Sequence, residues 1–250
     1  MTNNNMYFIA NWKMYGKTKD IEKTTPVIRL SRLNKYKNIK IIYCPPYTML
    51  KDFFIKINKT RISIGAQNCH QNFNFGPFTG SINPKLIKST GAKYVIIGHS
   101  ENRNQGDKDQ DINNKIKSAL KERLKIIFCI GENLKEKKRR ITYSILKRQL
   151  KNGLKGVTNL ENIIIAYEPI WSIGTGLVPK NSELKKNISN IKKIINSLKK
   201  YNKIKIIYGG SVNPLNVKDL SKISEINGFI IGGSSINPKK FIDIIKKSIN

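Results

Sequence analysis

Glu168 closes an apolar run and is followed at once by Pro169, then by Ile170-Trp171-Ser172-Ile173 and by Gly174-Thr175-Gly176. A carboxylate at a strand tip beside a proline is held on stiff backbone and could move a proton at a fixed point. The glycine-rich segment behind it can swing and expose backbone N–H groups. An isolated glutamate would read as a surface ion-pair partner; with this whole segment behind it, that reading no longer holds. A second candidate is Gly98-His99-Ser100-Glu101. A histidine after a strand is more often structural than catalytic. Here, however, the sequence predicts Ser100 as the N-cap of a short helix, which puts His99 at a positive helix end. That field disfavours imidazolium, so His99 is expected to stay neutral and donate a hydrogen bond to a developing oxyanion. His70, the other histidine, lies in a different loop and is given no catalytic role.

Weaker signals accompany these two. Asn11-Trp12-Lys13-Met14 puts a lysine at a strand end, where such side chains usually snorkel to solvent. Tyr208-Gly209-Gly210-Ser211 and Gly232-Gly233-Ser234-Ser235 each carry a glycine pair that alone would be a turn. Cys129-Ile130-Gly131-Glu132 reads as a packed, unreactive thiol. The histidines and cysteines lack ligand spacing, so no metal is expected.

The elements that must position these residues are eight short apolar runs, at 7–10, 39–44, 62–66, 94–98, 125–131, 163–167, 204–209 and 229–232. Near-continuous apolarity, as in Ile163-Ile164-Ile165-Ala166, fits parallel strands covered on both faces. The segments between them carry helical spacing. Ile112, Ile116, Ala119 and Leu120 share one face, as do Ile188, Ile191, Ile195 and Leu198, with lysines opposite. Strand then helix, eight times without a linker, predicts a single-domain (β/α)8 barrel of α/β class over residues 1–250, eight parallel strands ringed by helices. An open doubly wound sheet is the alternative by counting alone. In a barrel the chemistry belongs at the carboxyl ends of the strands, and the unusual polar and glycine-rich residues cluster there. The loops after strands seven and eight of such barrels frequently form a phosphate site from backbone amides, which gives both glycine pairs a purpose.

Length and composition set outer limits. The 250 residues, 39% hydrophobic, are enough for one barrel core. The opening Met1 to Asn5 is polar, no apolar stretch approaches membrane-spanning length, and three cysteines without CxxC spacing fit free thiols in a reducing cytoplasm. A net charge of +31 could suggest nucleic acid or an anionic membrane. The lysines are scattered, though, and no interleaved aromatic stripe or nucleic-acid motif accompanies them. The excess of Lys, Asn and Ile reads instead as codon bias over a solvated surface. The field would still draw in a phosphorylated substrate.

Ala166-Tyr167-Glu168-Pro169-Ile170-Trp171 followed by Ile173-Gly174-Thr175-Gly176 resembles the signature and lid of the triosephosphate isomerases, and the remaining motifs follow in that family's order along essentially the whole chain. The resemblance implies a cofactor-independent interconversion of dihydroxyacetone phosphate and D-glyceraldehyde 3-phosphate through an enediolate. It makes Glu168 the base, residues 169–179 the lid, and His99 and Lys13 the oxyanion partners. A glutamate base with a neutral histidine is a known property of that family, and the resemblance carries it to these two positions. It further implies substrate contacts from Asn11, Lys13, Gly174, Ser211, Gly232 and Gly233. Glu101 would position Lys13, Cys129 would buttress Glu168, and Tyr208 would bond the closed lid. A homodimer is implied, with the loop at Phe78-Thr79-Gly80 entering a second subunit and Thr79 approaching its site. Two positions depart from the family: Ser81 stands where glutamate is usual and Asn102 where arginine is usual, a lost charge pair that implies a weaker dimer. Tyr15 is also atypical there. Two rivals are another phosphate-binding barrel, such as a Schiff-base aldolase, and a basic nucleic-acid-binding protein that keeps only the barrel.

Overall fold

The computed structural model describes residues 6–249. Its eight strands are β1 (Met6–Asn11), β2 (Ile39–Cys44), β3 (Ser63–Ala66), β4 (Tyr94–Ile97), β5 (Lys125–Ile130), β6 (Ile163–Tyr167), β7 (Lys205–Gly209) and β8 (Gly228–Ile231). All neighbours are parallel, and the ring closes because β1 pairs with both β2 and β8: Phe8 faces Ile41 on one side and Phe229 on the other. That closure removes the open-sheet alternative. The chain is an eight-stranded α/β barrel.

Period-two alternation sorts each strand between two apolar layers. Ile9, Ile42, Cys44, Tyr94, Ile96, Ile127, Cys129, Ile164, Ala166, Ile207 and Ile230 pack together as one cluster. Their strand neighbours, among them Phe8, Ile41, Tyr43, Ile126, Phe128, Ile165 and Phe229, pack in a second cluster with the helices. Both faces being dry explains why the strands read as unbroken apolar runs. Isoleucine, β-branched and stiff, suits them.

The helices are α1 (Thr25–Arg32), α2 (Leu50–Ile57), α3 (Pro84–Ser89), α4 (Ser100–Asn104), α5 (Asp109–Lys121), α6 (Leu134–Lys138), α7 (Thr142–Gly153), α8 (Asn181–Lys199), α9 (Val217–Ser221) and α10 (Pro238–Ile249). The predicted stripes hold: Ile112, Ile116 and Ala119 of α5 and Ile188, Ile191 and Ile195 of α8 are buried, while Leu120 and Leu198 pack at the margin. An Asn83 cap accepting the Leu86 N–H at 2.9 Å, with Pro84 behind it, starts α3. Among the described residues no helix is long and apolar enough to cross a membrane.

Candidate active site

A cavity of about 250 Å³ opens at the carboxyl end of the barrel. Asn11 reaches it from the end of β1, Lys13 from two residues beyond, His99 from the loop after β4 and Glu168 from the end of β6. Gly174 and Ser211 line it from the loops after β6 and β7, and Gly232 and Gly233 from the end of β8. Residues far apart in sequence thus converge because a barrel collects all its strand ends on one rim.

His99 and Glu168 are both buried, with His99 Nε2 3.4 Å from Glu168 Oε2. The sequence expectation for the cap of α4 needs correcting. His99 itself is the N-cap, because its Nδ1 accepts the Glu101 backbone N–H at 3.2 Å, and Ser100 is already inside the helix. Nδ1 is therefore an acceptor, which leaves the imidazole proton on Nε2, facing the cavity. The expected loss of basicity is also corrected. Burial pulls the His99 pKa down, but the charge and hydrogen bond of Glu168, with Glu101 behind, outweigh it and leave the value raised. Sequence alone could not show that the two groups touch.

Glu168 experiences the reverse pull. Burial raises its pKa, yet the charge and hydrogen bond of His99, then the Cys129 thiol and the Lys13 charge, bring the net value below the ordinary one. Its Oε1 is buried without a partner among the described residues. Cys129 lies in the inner cluster, and burial followed by the neighbouring carboxylate pushes its thiol pKa well up. Such a thiol packs and donates; it does not act as a thiolate nucleophile.

Lys13 Nζ meets Glu101 Oε1 at 2.6 Å. Its backbone is left-handed, at φ 53°, a region that costs a side-chain-bearing residue about 1–2 kcal/mol. Two bonds hold it there: Lys13 N–H donates to Asn11 Oδ1 at 3.1 Å, and Gln67 Nε2 donates to the Lys13 carbonyl at 2.7 Å. Strain held by surrounding bonds is characteristic of functional positions.

The loop over the cavity is docked. Gly176 N–H donates to Ser211 Oγ at 2.9 Å, Ser211 Oγ–H to the Ser172 carbonyl at 2.8 Å, and the Tyr208 hydroxyl lies 3.1 Å from Ser172 Oγ. Thr79 and Ser81 are exposed on their own loop, away from this cavity, and Asn102 is half-buried on α4. Among the described residues no group of three or more histidine, cysteine or acidic side chains could hold a metal ion.

Some contributors escaped the sequence reading. Gly209 is a spacer: a Cβ there would lie 2.5 Å from Glu168 Cγ. Gly131 does the same for the backbone, since its Cβ would fall 1.9 Å from the Glu168 carbonyl oxygen. Arg103 ties the loop after β4 to the rim, donating to the Gly98 carbonyl at 2.8 Å and to Asp109 at 2.8 Å. For the two spacers the only sequence sign was glycine at a strand end; Arg103 gave none.

The triosephosphate isomerase family profile matches residues 6–248. The chain belongs to the triosephosphate isomerase family. Triosephosphate isomerase of Dictyoglomus thermophilum is 40% identical over 244 residues, spanning 95% of this chain and 97% of that protein. The Endomicrobium trichonymphae triosephosphate isomerase is 37% identical over 246 residues, spanning 96% and 97%. The crystal structure of triosephosphate isomerase from Bartonella henselae superposes with a TM-score of 0.88 at 31% identity, covering 98% of this chain and all of that one. Triosephosphate isomerase membership also sets aside the aldolase and bare-barrel alternatives.

Proposed function

We propose that this chain interconverts dihydroxyacetone phosphate and D-glyceraldehyde 3-phosphate through an enediolate, the isomerase step of glycolysis and gluconeogenesis. The observation that carries the reading is the shared cavity of Glu168 and His99, an anionic carboxylate and an imidazole N–H on one wall. A proton shift between adjacent carbons needs a base at carbon and a donor at oxygen, and these are the two groups. Glu168, held ionised at neutral pH, takes the carbon-bound proton and returns it to the neighbouring carbon. His99 Nε2–H and the Lys13 ammonium stabilise the oxygen charge that develops meanwhile; one such preorganised donor is worth about 2.7–4 kcal/mol of barrier. Substrate would enter between Glu168 and His99, ending the contact through which each shifts the other's pKa.

Asn11, Ser211, Gly232, Gly233 and Gly174 bind the substrate, the last four gripping the phosphoryl group. Gly233 supports this, because beyond its chain neighbours no described atom lies within 4 Å of where its Cβ would be, which leaves that side of it open. Binding energy from the unreactive phosphate then serves to keep the loop docked. Glu101 positions Lys13, Cys129 buttresses Glu168, and Tyr208 holds the docked loop through Ser172. The cavity is small for a ligand site, which suits a three-carbon substrate.

The chain works as one domain over 1–250, in the cytoplasm, as a homodimer with Thr79 approaching the partner. Exposed Phe75 and Phe78 beside Thr79, together with exposed Met14 and Tyr15 after β1, support an apolar contact between subunits. The test is a coupled isomerisation assay on dihydroxyacetone phosphate, with and without Glu168→Asp. Withdrawing the carboxylate by one methylene should cost about a hundredfold in turnover. Equal turnover in the two proteins would end the assignment.

A further inference from the structure

The segment between β5 and the end of α6 grips Trp171 from two sides. Glu132, fully buried, accepts the indole Nε1–H at 2.9 Å, and Lys137 Nζ stands 3.4 Å from the centre of the ring. The same ammonium bridges Glu183 Oε1 at 3.0 Å, in the first turn of α8. Trp171 lies at the near root of the cavity-covering loop and Glu183 just beyond its far root, so one side chain touches both. Its own base is firm, because α6 starts in a reciprocal cap between Asn133 and Glu136. Among the lysines of 135–140, which the sequence offers only as solvated charge, Lys137 is set apart by this placement.

We propose that Lys137 is a positioning residue for the isomerisation, clamping both roots of the loop in the docked arrangement and so protecting the enediolate. The inference rests on the isomerase reading. A cation over an indole is attracted by the ring's quadrupole, and the Glu183 carboxylate holds that cation in place. A loosened root lets the tip leave Ser211 while the intermediate is still present. An exposed enediolate phosphate then loses phosphate: its electron pair forms the new carbon–carbon double bond as the carbon–oxygen bond to phosphate breaks. The enol left behind tautomerises to methylglyoxal, its terminal carbon gaining a proton as its hydroxyl gives one up. No oxidant or reductant is needed.

The experiment compares the unaltered chain with Lys137→Gln, Lys137→Arg and Glu183→Gln. The readouts are kcat/KM for dihydroxyacetone phosphate, the ratio of methylglyoxal to isomerised product, and acrylamide quenching of tryptophan emission. Trp12 is buried and contributes a constant background. Lys137→Gln should lower kcat/KM about fivefold, raise the methylglyoxal fraction by a similar factor and make Trp171 more quenchable. Lys137→Arg should restore all three, and Glu183→Gln should fall between. Lys137→Gln with both chemical readouts within twofold of the unaltered chain overturns the proposal, even if quenching changes. So does an arginine that restores nothing. Should Lys137→Gln fold poorly, Glu183→Gln decides, and its unchanged product ratio would overturn the clamp. Absence of isomerisation in the unaltered chain would instead defeat the underlying reading.

Discussion

Glu168 Oε2 stands 3.4 Å from His99 Nε2, so the base and the hydrogen-bond donor proposed for the reaction touch each other directly. Each changes the other's proton affinity. Burial lifts the Glu168 pKa, but His99 overrides that and lowers it; burial depresses the His99 pKa, but Glu168 overrides that and raises it.

Removing the charge of Glu168 should therefore lower the His99 pKa. In Glu168→Gln the upward pull vanishes while burial remains, and imidazole NMR should follow the shift, with His70→Gln used for assignment. An unchanged or higher value would refute the coupling. The linkage has a defined window. The raised His99 pKa contributes stability fully present below the ordinary histidine value and lost as pH rises through the folded value. The lowered Glu168 pKa contributes stability present above the ordinary carboxylate value and lost as pH falls through the folded one. The melting-temperature gap between the unaltered chain and Glu168→Gln should thus be widest in mildly acidic solution and narrow on either side.

Gly209→Ala tests the spacer role. The new Cβ would press on Glu168 Cγ and on Ile230 Cγ2, each at 2.5 Å. Overpacking of this kind costs about 1–3 kcal/mol of stability. The displaced carboxylate should cost about a hundredfold in kcat, with KM little changed. Normal turnover with a lowered melting temperature would mean that Glu168 tolerates the intrusion.

Lys13 offers a separation of stability from activity. Lys13→Gly and Lys13→Ala both remove the ammonium and should both be nearly inactive. Glycine accepts φ 53° freely and alanine does not, so urea denaturation should find the glycine variant more stable by about 1 kcal/mol. Equal stability would show that the loop relaxes without strain.

The proposed homodimer should respond to salt. Ser81 and Asn102 supply no charge pair, and each subunit carries a net charge of +31. Raising ionic strength from about 0.01 M to 0.15 M shortens the screening length from about 30 Å to 8 Å. Sedimentation velocity at low protein concentration should then show dimer gaining on monomer. A dimer equally tight at both salt levels would show that self-repulsion does not matter at the interface.

The barrel was readable in the sequence because its strands are dry on both faces, so Ile163 to Ala166 announces itself without alternation. The rim was readable because Glu168, His99 and Lys13 interrupt such runs. What stayed hidden depends on approach across the fold. The His99 cap turns on which atom the Glu101 N–H finds, Gly209 matters only because Glu168 lies across from it, and Lys137 looks like any other lysine until Trp171 is placed beneath it.

β8 completes the ring by settling between β7 and β1. β1 therefore waits for β8, made well after it, before one of its sides is paired. Until residues 228–231 emerge, the nascent chain presents two bare strand edges, a template for self-association. Truncation ahead of β8 would leave both edges open permanently, so a product lacking residues 228–250 should go to proteases and not merely be weakened.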